Sequence, residues 1–181
     1  MKIFFDTEFT GLHKDTTLVS IGLVSADGRT FYAELTDYDE GQCDEWIKRN
    51  VINNLHLKCR GHCIGAHRTF AGTKSGLRAN LSEWLSQFDD VQFVSDVCHY
   101  DMVLLIDIFG TAFDLPENVS ASCHDINQGI ARYYGISEKD AFNKSREDIL
   151  AESNVLVSGK KHNALYDAIV IKKIFEVLQF G

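Results

Sequence analysis

Two features are scarce in this chain of 181 residues: it contains one proline and no long apolar run. The longest apolar run extends from Met102 to Ile106. A membrane-spanning helix needs about 20 apolar residues, so no span is expected. The start of the chain has too short an apolar stretch for a secretory signal. Because the cysteines number five and no such signal is present, we expect reduced thiols rather than a disulfide framework. These absences favour a soluble, cytoplasmic protein.

Basic residues are also scarce, with 18 against 26 acidic residues and a net charge of −8. This charge argues against a protein that covers long duplex DNA, which must neutralise many phosphates. The segment 46–82 is the exception, because it contains no acidic residue. Its charges predict a local phosphate contact or, alternatively, only a solvated surface. The basic residues in it are Lys48, Arg49, Lys58, Arg60, Arg68, Lys74 and Arg78.

The hydrophobic pattern predicts one α/β domain that covers residues 1–181. The first three strands are predicted at 2–6, 17–25 and 30–35, with an Asp-Gly turn before the third, which gives an antiparallel meander. A further strand is predicted at 91–95, and residues 56–75 are expected to be partly irregular. Predicted helices cover residues 44–55, 75–88, 100–109, 122–134 and 162–180. Strands followed by helices and a further strand indicate a mixed sheet.

Two carboxylates, Asp6 and Glu8, follow the first apolar strand. Side chains two residues apart on a strand point to the same face. Paired carboxylates repel each other and are costly to desolvate, and a divalent cation with oxygen ligands removes that penalty. The pair therefore predicts a metal site, although a solvent-exposed strand end is the alternative.

Asp101 lies at the start of an apolar helix, where an aspartate can also act as a cap. Asp96 and Asp107 are rivals for any role of Asp101 in the same site. Near the end of the chain, His162 and Asp167 lie five residues apart, about 140° around a regular helix. We therefore expect His162 on the preceding loop and Asp167 inside the helix.

The order Asp-x-Glu-x-Thr-Gly-Leu, Tyr-Asp and His-x-x-x-x-Asp resembles the DEDDh 3′–5′ exonucleases. The short chain is similar to small bacterial and phage exoribonucleases of that superfamily. Asn163 stands where the sister subclass has tyrosine, so the histidine subclass fits better. The resemblance implies an RNase H-like α/β fold, in which a mixed central sheet is flanked by helices.

The resemblance also implies a site and a mechanism. Asp6, Glu8, Asp101 and Asp167 are expected to hold two Mg²⁺ or Mn²⁺ ions, and His162 is the expected general base. Glu8 is thus both a metal ligand and a catalytic residue. The implied substrate is the 3′ end of single-stranded RNA, with single-stranded DNA as the alternative, and the product is a nucleoside 5′-monophosphate. A homodimer is possible. The expected substrate contacts are Thr7, Phe9, Thr10, Gly11, Leu12, Lys160 and Lys161, although Phe9 and Leu12 could instead be core residues.

Three other interpretations compete with this one. A cluster of cysteine and histidine side chains could bind zinc, although its spacing matches known zinc sites only partly. A non-catalytic nucleic-acid-binding module would be expected to lack one or more of the acidic residues. A phosphodiesterase for small nucleotides would share the site without needing a basic track. The residues of the zinc alternative are His56, Cys59, His62, Cys63 and His67.

Overall fold

The protein is described by a computed structural model that covers residues 1–57, 63–64 and 66–178. Within these residues, seven strands form one sheet with the order β4-β5-β3-β2-β1-β6-β7. The strands are β1 Lys2–Phe9, β2 Leu18–Ser25, β3 Thr30–Leu35, β4 Cys63–Ile64, β5 His67–Gly72, β6 Val91–Ser95 and β7 Val119–Asp125.

The sheet is mixed, as predicted. Strands β1, β2 and β3 form the expected antiparallel meander, while β6 lies parallel to β1 and β7 lies parallel to β6. Between β2 and β3 the chain turns at Gly28, whose φ of 94° is a left-handed conformation that glycine adopts without a steric penalty. This order places β1 near the centre of the sheet, with a parallel neighbour on one side.

Helices cover both faces of the sheet. They are α1 Glu45–Asn50, α2 Lys74–Leu85, α3 Cys98–Phe109, α4 Ile126–Tyr134, α5 Glu138–Asn143, α6 Arg146–Glu152 and α7 Ala164–Val177. On one face, Ile3 and Phe5 of β1 pack in a core with α2 and α3. On the other face, Phe4 packs in a core with α4, α6 and α7. In the described part of the chain, no helix has the length and apolarity to cross a membrane.

One expectation for the secondary structure was wrong. Residues 122–134 do not form one helix, because 119–125 are strand β7 and a helix begins only at Ile126. The boundary is set by Asp125, whose carboxylate accepts a hydrogen bond from the backbone N–H of Asn127 at 2.8 Å and caps the helix. The segment predicted to be partly irregular contains β5, which is ordered by parallel pairing with β3.

Gly22 allows the last helix to contact the sheet closely. It lies opposite Asp6 in the β1–β2 pair, and a Cβ atom at this position would lie 2.3 Å from the backbone of Ala164 and Leu165. The first turn of α7 therefore packs directly on the backbone of β2. A larger residue at position 22 would displace the turn that contains Asp167.

Gly22→Ala is expected to destabilise the protein by about 1–3 kcal/mol, because the added methyl group overpacks a backbone contact. Thermal unfolding followed by circular dichroism measures the effect. Gly28→Ala is a suitable comparison, since a Cβ at Gly28 meets nothing within 4 Å and its cost is only that of the left-handed backbone. An unchanged melting temperature for Gly22→Ala would show that helix α7 does not sit on this strand.

Candidate active site

Asp6 and Glu8 lie near the carboxyl end of β1 and face α7. The same face of the strand carries Phe4, which belongs to the core formed with that helix. Asp6 is 8% exposed, and one of its oxygens, Oδ2, is buried without a hydrogen-bond partner among the described residues. A buried carboxylate oxygen without a donor is costly, so this side chain is stabilised either by a proton or by a cation beside it.

His162 and Asp167 approach the same strand end from the last helix. His162 lies on the loop before α7, as predicted, and Asp167 lies in the first turn of that helix. The backbone N–H of His162 donates to Asp167 Oδ2 at 2.8 Å, and His162 Nδ1 lies 3.8 Å from Glu8 Oε1. His162 has a left-handed φ of 62°. Asn54 donates to the carbonyl of His162 at 3.3 Å and so helps to fix this turn.

Asp96 and Asp101, which the sequence presented as rivals, both lie beside Asp6. Asp101 is fully buried at the start of α3, while Asp96 follows β6 and lines the cleft above the sheet. Asp107 lies elsewhere, because it forms an exposed ion pair with Lys74 at 2.8 Å. The middle of the chain therefore supplies two carboxylates rather than one.

These carboxylates form two overlapping groups that could each hold a cation. Within each group, one potential ligand atom per residue lies within 4.8 Å of the others. Asp6 belongs to both groups. Hard oxygen donors of this kind suit Mg²⁺ and Mn²⁺, and the unpartnered oxygen of Asp6 fits a cation between the groups. The groups are Asp6, Glu8 and Asp167, and Asp6, Asp96 and Asp101.

The carboxylates hold protons more tightly than isolated ones do. Burial, then repulsion from Asp101 and Asp167, raises the pKa of Asp6 well above its ordinary value. Burial, then repulsion from Asp167, raises the pKa of Glu8 to about 8. Burial also raises the pKa of Asp101 and of Asp167 to about 7. Such shifts are typical of functional sites, and a bound cation would oppose them.

The stabilisation by metal is expected to grow with pH. Unfolded carboxylates ionise near pH 4, whereas these folded ones keep protons until about pH 7–8, so the folded protein binds more protons in this window. Their contribution to the stability of the metal-free protein is present below about pH 4 and is lost as the pH rises through 7–8. Added Mn²⁺ should raise the melting temperature more at about pH 8 than at about pH 5, where protons compete with it. Thermal unfolding with Mn²⁺ and with EDTA measures this difference, and equal shifts at both pH values would contradict it.

A cleft of about 690 Å³ opens above these residues, a size typical of small-ligand sites. Asp6, Glu8, Asp96, Asp167 and His162 line it. Its lining also includes large apolar side chains that remain exposed. They are Leu12 at 76%, Trp46 at 53% and Phe142 at 54% exposure. The cleft thus combines an acidic region with apolar surfaces that can stack on a flat ring.

Five of the predicted substrate contacts line the cleft, namely Thr7, Phe9, Gly11, Leu12 and Lys161. Phe9 also stacks on Tyr100 with ring centroids 5.2 Å apart. Thr7 and Thr10 have structural partners. The Thr7 hydroxyl donates to Asp101 at 2.6 Å. Thr10 is 1% exposed, and its hydroxyl lies 2.5 Å from Gln42 Oε1. Thr10 therefore shapes the loop after β1 from behind the cleft.

Several residues of the cleft were not predicted from the sequence, among them Trp46, Phe142 and Arg146. The Trp46 ring lies edge-on to the His162 ring, with centroids 5.0 Å apart. Arg146 is paired with Asp96 at 3.0 Å. Both contacts join residues at least 50 positions apart in the sequence, so no local spacing of residues could have predicted them. For Phe142, the one sequence indication was an aromatic residue within the otherwise mostly polar stretch 138–147.

The basic segment 46–82 is less free to bind phosphates than its composition suggests. Three of its side chains form ion pairs within the described residues: Lys48 with Glu45, Arg68 with Glu83, and Lys74 with Asp107. Lys58 and Arg60 lie outside the described residues. A phosphate track along this segment therefore remains a prediction.

The zinc alternative rests partly on residues outside the described ones, namely Cys59 and His62, and the side chain of Cys63 is not described either. Two of its histidines have other partners. His67 Nδ1 lies 2.8 Å from the Thr30 hydroxyl, and His56 stacks on Tyr32 with ring centroids 5.1 Å apart. Among the described residues, the groups that could hold a metal are all acidic.

Sequence comparison decides the family. Residues 1–179 match the profile of the 3′–5′ exoribonuclease Rv2179c-like domain. The chain belongs to this family. It is 28% identical over 130 residues to the 3′–5′ exoribonuclease Rv2179c of Mycobacterium tuberculosis (strain ATCC 25618 / H37Rv). The aligned residues cover 71% of this chain and 73% of the relative.

Structural comparison confirms the predicted RNase H-like fold of this Rv2179c-like domain. The nuclease domain of 3′hExo, a DEDDh family member bound to rAMP, has a TM-score of 0.67 at 12% identity and covers 99% of this chain and 92% of its own. The Mg²⁺- and Mn²⁺-bound form of S. pombe Pop2p has a TM-score of 0.58 at 16% identity and covers 96% and 81%. With the family, these findings confirm the prediction of a DEDDh-type 3′–5′ exonuclease.

Proposed function

We propose that this domain removes nucleotides one at a time from the 3′ end of single-stranded RNA, or of a 3′ overhang, and releases nucleoside 5′-monophosphates. Two Mg²⁺ or Mn²⁺ ions assist the reaction, and His162 is the general base. The observation that carries this proposal is the convergence of Asp6, Glu8 and Asp167 with His162 at one end of the cleft.

The ions would be held by Asp6, Glu8, Asp101 and Asp167. Divalent ions in such a site supply Lewis acidity, which activates water and offsets charge on the phosphate. The choice between Mg²⁺ and Mn²⁺ and the number of ions are part of the proposal. What supports them is the oxygen-only donor set and the membership of Asp6 in both ligand groups.

His162 is suited to accept a proton from the attacking water. Burial, followed by the charge of Lys161, lowers the pKa of His162 below its ordinary value, so the ring is neutral near pH 7. The water oxygen forms a bond to the terminal phosphorus as its proton passes to the imidazole. The bond from phosphorus to the 3′-oxygen then breaks, the 3′-oxygen takes up a proton from solvent, and the shortened strand ends in a 3′-hydroxyl.

The cleft surfaces fit a nucleotide at the 3′ end. Leu12, Trp46 and Phe142 offer apolar area on which bases stack without sequence preference. Lys161 offers a cation beside the phosphate position, although it also lies 3.6 Å from Glu147. RNA is favoured over DNA because the family is one of 3′–5′ exoribonucleases and the mycobacterial relative is named as one.

Digestion of 5′-labelled RNA and DNA of the same sequence tests this function, with Mg²⁺, Mn²⁺ or EDTA present. We expect RNA fragments that shorten one nucleotide at a time, and no cleavage with EDTA. Cleavage of DNA alone would favour the alternative substrate. No metal-dependent cleavage of either would reject the nuclease and favour a binding module or a small-nucleotide hydrolase. A homodimer is still a prediction, and light scattering in solution would test it.

A further inference from the structure

Asp101 uses both of its carboxylate oxygens to hold the protein together. Its Oδ1 accepts hydrogen bonds from the backbone N–H of Thr7 at 3.1 Å and from the Thr7 hydroxyl at 2.6 Å. Its Oδ2 accepts from the hydroxyl of Ser95. Asp101 is 0% exposed and does not line the cleft. It therefore ties β1 to β6 at the buried side of the acidic cluster.

Asp96, unlike Asp101, faces the cleft. Its carboxylate lines the cleft, and a ligand atom of it lies within 4.8 Å of those of Asp6 and Asp101. Arg146 donates to Oδ2 at 3.0 Å, and no hydrogen bond from the described residues reaches Oδ1. One oxygen of Asp96 is thus fixed by a guanidinium, while the other is available to a cation.

The orientation of Asp96 is fixed by a small network. Arg146 also donates to the side-chain oxygen of Asn127 at 2.6 Å, and Asn127 donates to the backbone carbonyl of Asp96 at 2.7 Å. Asn127 is 3% exposed, and the Arg146 side chain is 12% exposed. The guanidinium of Arg146 is nearly buried. It binds the carboxylate of Asp96 directly and its backbone carbonyl through Asn127, so the motion of Asp96 is restricted.

We propose that Asp96 is a fifth carboxylate of the metal site, that it is a direct ligand of the cation shared with Asp6, and that Arg146 is its positioning residue. The unpartnered Oδ2 of Asp6, on a side chain that is 92% buried, is the independent sign that a cation belongs beside this group. This inference rests on the proposed function, because it concerns the same metal site. It adds a ligand to the four that the DEDDh resemblance implies.

Arg146 connects the metal site to one wall of the cleft. Its guanidinium donates to the backbone carbonyls of Ala141 and Lys144, each at 2.9 Å. These bonds hold the turn between α5 and α6, which places Phe142 and Lys144 in the cleft lining. A change at Asp96 or Arg146 is therefore expected to alter metal affinity first and the shape of this wall second.

Counting of bound Mn²⁺ tests the proposal directly. The full chain is freed of metal with a chelator and titrated with Mn²⁺, and free Mn²⁺ is measured by electron paramagnetic resonance. We expect two bound ions in the unaltered protein. Asp96→Asn should weaken one of them at least about tenfold, since even an indirect partner of a metal ligand contributes about 10–100-fold. Arg146→Gln should weaken the same ion by a smaller factor, and Arg146→Lys should restore part of the loss.

Asp107→Asn is the matched control, because it removes the same charge from an exposed pair with Lys74. It should bind two ions with unchanged affinity. Circular dichroism shows whether each variant folds, and Asp96→Ser, which also removes the carboxylate, replaces Asp96→Asn if that variant does not. Two ions bound with unaltered affinity by the folded Asp96 variant would overturn the inference alone. Failure of the unaltered protein to bind Mn²⁺ or to cleave RNA would overturn the proposed function as well.

Discussion

Asp6→Asn is expected to lower metal-dependent cleavage of RNA at least about a thousandfold, equivalent to about 4 kcal/mol of transition-state stabilisation. The reason is that Asp6 belongs to both groups of potential metal ligands and has a buried oxygen without a partner. Asparagine keeps the shape of the side chain but removes its charge. One substitution should therefore impair both cation positions.

The measurement is the initial rate of release of nucleoside 5′-monophosphate under single-turnover conditions, together with bound Mn²⁺. Asp107→Asn again controls for the loss of one negative charge. The variant should fold at least as well as the parent without metal, because burial disfavours the charge of Asp6. Full cleavage by Asp6→Asn would reject the metal assignment.

His162→Asn is expected to lower the rate about 100- to 10,000-fold, the usual range for loss of a general base. Asparagine is preferred to alanine here because it tolerates the left-handed φ of 62° at this position. The backbone N–H that donates to Asp167 is then retained, and bound Mn²⁺ should change little. His162→Ala should show the same loss of rate plus a small loss of stability.

The pH profile separates a base from a residue that only shapes the loop. With a pKa of His162 below 6.5, activity of the parent should fall as the pH drops through that lowered value, because the protonated ring cannot accept a proton. With Mn²⁺ kept at a concentration that saturates the carboxylates at every pH measured, this acid limb should be absent in His162→Asn. An unchanged limb in the variant would assign it to another group and leave His162 with a structural role.

The sequence predicted the parts of the site that local spacing controls. The alternation of β1 placed Asp6 and Glu8 on one face, and helix geometry required His162 to lie outside the helix that contains Asp167. The early meander and most helix positions followed from apolar periodicity in the same way. Each of these features depends on residues that are neighbours in the chain.

The remaining features depend on contacts between distant segments. The pairing of Asp96 with Arg146 spans 50 positions, so the sequence could present Asp96 only as a rival of Asp101. Residues 122–125, the end of strand β7, were predicted as the start of a helix because the helical spacing of Ile126, Ile130 and Tyr133 follows them directly. Their strand structure depends on parallel pairing with β6, which is distant in the sequence. The need for glycine at position 22 likewise arises only from the packing of α7 on β2, which the sequence does not show.

The acidic cluster is divided along the chain between the first strand, the region after β6 and the last helix. Its members Asp6 and Asp167 become neighbours only when α7 packs against β1 and β2. During synthesis, α7 is the last of the described helices to leave the ribosome. A nascent chain therefore lacks the complete set of carboxylates, and a domain that acts on RNA gains its activity only after its own message has been translated through α7.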